Sequence, residues 1–91
     1  MLTSNLSILI TGGTGSLGQA LTKELLLRYP NLSRLVIYSR DELKQWEMKQ
    51  EFPENKFPQL RFFLGDIRDF DSVSNSMQNV DCIFHLAALI G

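Results

Sequence analysis

The chain has 91 residues, room for one small domain. Its 44% hydrophobic content suits a packed core rather than a disordered chain, and a net charge of −1 with mixed signs argues against a nucleic-acid binder. No apolar run approaches the roughly 20 residues of a membrane span, no signal-type segment opens the chain, and the single cysteine, Cys82, permits no internal disulfide; the reading is a cytoplasmic soluble protein with Cys82 packed as a small hydrophobe.

After a short polar lead, Ile8-Leu9-Ile10 reads as a strand covered on both faces, and Thr11-Gly12-Gly13-Thr14-Gly15-Ser16-Leu17-Gly18 as a glycine-rich turn opening a helix. Each glycine of the spaced set has an expected task. Gly12 turns the chain sharply off the strand, Gly15 leaves no Cβ between backbone and a pyrophosphate, and Gly18 lets the helix lie close to the sheet. The helix N-terminus offers unpaired N–H groups to an anion, and Thr14 and Ser16 add hydroxyl donors. Leu17, Ala20, Leu21 and Leu25 share a helical face, which is the expected buried one. Pro30 ends this helix near Tyr29.

Residues 35–38 form the expected second strand, followed by Ser39-Arg40 and by Asp41 as N-cap of a second helix, with Glu42 in its first turn. Trp46 and Met48 are expected to pack, while Lys44, Gln45, Lys49 and Gln50 are expected in solvent. Residues 53–58 make a turn-rich connection. The third strand is 60–64, a short third helix is expected over 71–77, Asn79 and Asp81 frame the next turn, and the fourth strand is 82–86. His85, the only histidine, has no catalytic or metal-binding partner at a suitable spacing and reads as packed; no metal site is expected.

The order β-α-β-α-β-α-β predicts an α/β Rossmann fold: a parallel sheet of about four strands in order 3-2-1-4, with helices on both faces. The polar and glycine-rich clusters all fall at carboxyl ends of strands. The expected crevice lies over strands one and four. The residue ending strand two faces the adenosine ribose in such folds, and an arginine there suits the 2′-phosphate of NADP. Ser39 and Arg40 stand about twenty residues after Gly18, the expected distance. Arg40 can pair with phosphate through its planar fork and Ser39 can donate a further hydrogen bond; the alternatives are Asp41 swung towards a free ribose and a merely solvated Arg40. Asp66 is placed to accept from the adenine amino group, with the Ile67 backbone on the ring edge; the alternative is a turn aspartate after Gly65. Leu86, Ala87 and Ala88 leave room for the dinucleotide.

These stretches resemble a known family. Thr11 to Gly18 is similar to the cofactor motif of extended short-chain dehydrogenases/reductases. Ser39-Arg40-Asp41-Glu42-Leu43-Lys44-Gln45, Phe63-Leu64-Gly65-Asp66-Ile67-Arg68-Asp69 and residues 81–89 resemble the inverting UDP-N-acetylglucosamine 4,6-dehydratases and related polysaccharide-biosynthesis proteins. The resemblance implies NADP bound by Gly12, Thr14, Gly15, Ser16, Leu17 and Gly18, by Ser39, Arg40, Asp41, Glu42, Leu43 and Lys44, by Asp66 and Ile67, and by Leu86, Ala87 and Ala88. It implies hydride removal from C4 of the sugar nucleotide, loss of water across C5 and C6, and hydride return to C6, within surface-glycan biosynthesis and by a homo-oligomer. The family's Tyr-x-x-x-Lys pair is missing, because Tyr29 is followed four residues later by Ser33 and Tyr38 by Glu42, and Ile90 stands where the family usually has lysine. The chain therefore reads as an NADP-binding half-domain without the substrate and catalytic part. It is expected to lack dehydratase activity alone and, with an open fourth strand, to be marginally stable or to self-associate. The competing readings are another nucleotide-sugar epimerase or reductase of the same superfamily, and a non-catalytic NADP-binding module.

Overall fold

A computed structural model describes residues 6–66, 68–69, 71, 74–75 and 80–85. In chain order the elements are β1 (Ser7–Thr11), α1 (Ser16–Arg28), β2 (Arg34–Ser39), α2 (Glu42–Glu51), β3 (Leu60–Leu64) and β4 (Cys82–His85). The four strands form one parallel sheet in the order β3-β2-β1-β4, as expected. Ile10 lies opposite Ile37 on one side and Phe84 on the other, and His85 opposite Thr11. The third helix expected over 71–77 falls largely outside the described residues.

β1 and β2 are the centre of the sheet, so their side chains are buried on both faces. On one face Ile8, Ile10, Leu35 and Ile37 pack with Leu25 and Leu26 of α1 and Met48 of α2. Right-handed crossovers from β1 to β2 and from β2 to β3 run the same way along the sheet, which places both helices on that face. On the opposite face Leu9, Val36 and Tyr38 are buried, with Val80 packed against them. Each fully buried Ile or Leu contributes about 2–3 kcal/mol relative to exposure. Cys82 sits half-buried against the first cluster, consistent with a packing role. Asp81 joins the lower ends of β1 and β4: its N–H donates to the Ser7 carbonyl and its carboxylate accepts from the Ser7 N–H, each at 2.8 Å.

Two helix faces differ from expectation. In α1 the buried residues are Gly18, Thr22, Leu25 and Leu26, while Leu17 is 57% exposed and Ala20 also faces solvent. The cause is the turn. A Cβ on Gly18 would lie 2.5 Å from backbone atoms of Gly13, so this edge of the helix is pressed against the turn itself and fixes the helix rotation. In α2 the buried positions are Gln45 and Met48, and Trp46 is 58% exposed. Gln45 takes the inward position because the ends of β2 and β3 present two acceptors to it, the Ser39 hydroxyl and the Phe63 carbonyl. Its amide nitrogen reaches the Phe63 carbonyl at 2.9 Å, the Ser39 hydroxyl at 3.0 Å and the Ser39 carbonyl at 3.4 Å.

Candidate functional site

Parallel strands send all their carboxyl ends to one rim, and the loops leaving β1, β2 and β3 meet there. They enclose a cleft of about 480 Å³ lined by Gly12, Thr14, Gly15, Tyr38, Ser39, Arg40, Asp41, Lys44, Gly65, Asp66 and Arg68. The β1 side is mostly backbone. Gly12 has φ 69°, a conformation costly for other residues, and its N–H donates to the Tyr38 carbonyl at 2.9 Å. Gly15 needs no such freedom, for its φ is −73°. A Cβ there would meet nothing nearer than the Gly12 carbonyl at 3.8 Å, so the fold does not use the space that Gly15 leaves. Among the described residues no side chain caps α1, whose first N–H groups have no partner within the helix. Gln19 steadies the turn by donating to the Thr14 carbonyl at 2.8 Å.

The β2 side supplies the polar groups. The Ser39 hydroxyl accepts from Gln45, which leaves its own proton to donate elsewhere. Asp41 caps α2, its carboxylate accepting from the Lys44 N–H at 2.9 Å. Arg40 is 68% exposed at its side chain and reaches across the rim to Asp66, Nη1 to Oδ2, at 3.2 Å. The β3 side is anchored by Tyr38, whose hydroxyl donates to the Asp66 carbonyl at 2.9 Å. Arg68 holds the same carboxylate more closely. Its backbone N–H donates to Oδ1 at 2.9 Å, its Nη2 to Oδ2 at 2.7 Å, and its Nε lies 3.1 and 3.2 Å from the two oxygens. Hydrogen bonds from the Arg68 side chain and then from its backbone N–H hold the Asp66 carboxyl well below its ordinary range; desolvation opposes them less strongly, and Arg40 adds a still smaller lowering. The same pairing raises Arg68.

Of the residues singled out from the sequence, Gly12, Thr14, Gly15, Ser39, Arg40, Asp41, Lys44 and Asp66 line this cleft. Ser16 and Leu17 are exposed at the start of α1, Gly18 faces Gly13, and Glu42 and Leu43 are exposed on the first turn of α2. Ile67, Leu86, Ala87 and Ala88 lie outside the described residues, and with them the expected crevice over β1 and β4. The sequence alone assigns no role in the cleft to Tyr38, Gly65 or Arg68, which line it, nor to Gln19 and Gln45 behind the lining. The signal for Arg68 was available: it follows Asp66 by two places in a loop at a strand's carboxyl end. Among the described residues no helix is long and apolar enough to cross a membrane.

Comparison with known proteins bears on the family and the fold. Over 84 residues the chain is 51% identical to a UDP-N-acetylglucosamine 4,6-dehydratase (inverting) of Campylobacter jejuni, an alignment covering 91% of this chain and 24% of that protein. It is 39% identical over 85 residues to a UDP-glucose 4-epimerase of Rickettsia bellii, with the same two coverages. The fold superposes on the X-ray structure of Pen from Bacillus thuringiensis with a TM-score of 0.85 and 31% identity, over 94% of this chain and 26% of that one. The chain thus spans about a quarter of the length of the curated relatives it matches. Residues 8–90, which carry the glycine turn, the Ser39-to-Gln45 stretch and the Asp66 loop, match the family described as polysaccharide biosynthesis protein, and the chain belongs to that family.

Proposed function

We propose that the cleft holds NADP and that the chain is the cofactor-binding part of a nucleotide-sugar 4,6-dehydratase, with UDP-N-acetylglucosamine as the sugar nucleotide. The observation that carries this reading is the meeting in one cleft of a bare backbone at Gly15 and a guanidinium at Arg40. The residues fit the group. The turn through Gly12, Thr14 and Gly15, with the open N–H groups of α1, suits a pyrophosphate, flanked by Ser16, Leu17 and Gly18. Arg40 and Lys44 supply positive charge for the extra phosphate, and the Ser39 hydroxyl, which accepts from Gln45, keeps its proton to donate alongside them. Asp41, the rival that would favour a free ribose hydroxyl, is engaged in capping α2. Asp66 and Ile67 take the adenine, and Leu86, Ala87 and Ala88 the far end of the dinucleotide. When bound, the nicotinamide supplies a hydride acceptor and donor; the residues of this chain bind and orient it.

The 39% identity to an epimerase favours a second reading, a nucleotide-sugar epimerase using the same cleft. The higher identity to the dehydratase puts the first ahead. Calorimetric titration of the chain with NADP and NAD tests the cofactor reading. NADP is expected to bind about tenfold more tightly or better. Failure to bind either, or equal affinity for both, overturns it.

A further inference from the structure

Arg40 and Arg68 share one carboxylate, but unequally. Arg68 occupies both oxygens of Asp66 through its Nε, Nη2 and backbone N–H. Arg40 makes one contact, at 3.2 Å, to Oδ2 alone, and its Nε and Nη2 have no hydrogen bond among the described residues. Tyr38 fixes the carbonyl of Asp66, so the aspartate stays at the rim whatever Arg40 does. A carboxylate offers about four acceptor sites, and the four N–H donors here, the Arg68 Nε–H being shared between both oxygens, already fill them. An adenine amino group reaching Asp66 must therefore displace one donor, and the long single contact from Arg40 is the one most easily given up.

We propose that Arg68 is a positioning residue for coenzyme selection: by satisfying the Asp66 carboxylate it leaves Arg40 free to turn to a phosphate monoester on the adenosine ribose. This rests on the dinucleotide reading of the cleft and adds to it a residue on the neighbouring loop. The exchange has two linked parts. Adenine takes the place of Arg40 at Oδ2, and the released guanidinium, with four or more N–H groups available, pairs with the phosphate. Without Arg68 the Asp66 charge has one partner only, and Asp66 competes with the phosphate for Arg40. Removing Arg68 then lowers the preference for the phosphorylated coenzyme even though Arg68 need not touch it.

The test is the ratio of NAD to NADP dissociation constants, measured by calorimetry on the chain and its variants. The ratio cancels any loss of adenine contact, which both coenzymes share. Arg40→Ala is expected to abolish the preference, and this arm tests the cofactor reading by itself. Arg68→Gln is expected to lower the ratio about tenfold, Arg68→Lys to keep most of it, and Asp66→Asn added to Arg68→Gln to restore it. The side chain of Arg68 is 79% exposed, so its replacement leaves the core intact, which a thermal melt verifies. If Arg40→Ala abolishes the preference while Arg68→Gln leaves the ratio within about twofold, the positioning role is overturned and the cofactor reading stands. If Asp66→Asn fails to restore the ratio, Arg68 contacts the phosphate directly and the positioning role is again overturned. A wild-type chain with no preference overturns both.

Discussion

Gly13, Gly15 and Gly18, three of the four glycines around the turn, give an ordered prediction, because a methyl group at each meets different surroundings. At Gly18 the added Cβ would lie 2.5 Å from the Cα, C and O of Gly13, all backbone, so relief requires moving α1 away from the turn. Such overpacking costs about 3 kcal/mol. Replacing glycine within a helix returns about 1 kcal/mol. The net loss for Gly18→Ala is therefore about 2 kcal/mol, a fall in melting temperature of roughly 10 °C for a domain of this size. At Gly13 the first obstacle is the Ile37 Cγ2 methyl at 2.7 Å, a side chain able to shift, so Gly13→Ala should fall between the other two. At Gly15 the backbone is ordinary and the nearest atom is 3.8 Å away, so Gly15→Ala should hold stability or raise it by about 0.5 kcal/mol through the unfolded chain. The same variant should lose NADP affinity, since its methyl enters the cleft. Urea unfolding followed by circular dichroism gives the order, and calorimetry the affinity. A Gly15→Ala protein as unstable as Gly18→Ala, or one that binds NADP normally, would show that the space at Gly15 is not kept for a ligand.

Gln45→Leu leaves the Phe63 carbonyl without its buried donor and should cost about 1–3 kcal/mol in urea unfolding, whereas a merely solvated glutamine would cost almost nothing. Thr22 is fully buried with no partner for its hydroxyl among the described residues, so Thr22→Val should stabilise the chain by about 1 kcal/mol; a loss of stability would mean the hydroxyl is satisfied. Asp66 has a folded-state pKa below its ordinary 3.8, held there first by the Arg68 side chain. Its stabilising contribution is thus complete above the unfolded value and lost as pH falls below about 4; the stability gap between wild type and Asp66→Asn should narrow from pH 6 towards pH 3, and a gap that widens on acidification contradicts the pairing. Among the described residues β4 has no neighbour on its outer side and Ile83 is 44% exposed, so the chain should self-associate and Ile83→Lys should shift its sedimentation towards monomer; a wild-type chain already monomeric at high concentration refutes this.

Much of the fold was legible because its signals are local. Ile8, Ile10, Val36 and Ile37 sit in short apolar runs bounded by turn residues, Pro30 and Pro53 mark helix ends, and Asp41 is an N-cap that the structure confirms atom by atom. The rotation of each helix was not legible, because it is set by contacts distant in sequence. Leu17 looks like a core residue until Gly18 is seen against Gly13. Trp46 looks like a core residue until the Ser39 hydroxyl and the Phe63 carbonyl are seen to take an amide from the neighbouring position. Hydrophobicity ranks residues by the water they avoid. It says nothing of a strand end that requires a donor, and there the polar residue takes the buried place.

The candidate site shows the same division. Its membership from β1 and β2 follows from topology, since parallel strands deliver every carboxyl end to one rim. Its electrostatics do not follow from topology: they depend on Arg68 reaching back two residues to Asp66 while Arg40 reaches forward from another strand. The cleft built from β1, β2 and β3 is the part of such a fold that faces the adenosine side of a dinucleotide, where no bond is made or broken. A coenzyme is distinguished from its unphosphorylated counterpart at this end alone, and the groups that do so are charged, exposed and paired with one another rather than buried. Selection of this kind tolerates substitution without unfolding. The core of Ile10, Leu35 and Ile37 therefore constrains the fold, while on the proposed reading substitutions at the exposed Arg40, Asp66 and Arg68 would alter coenzyme choice without disturbing that core.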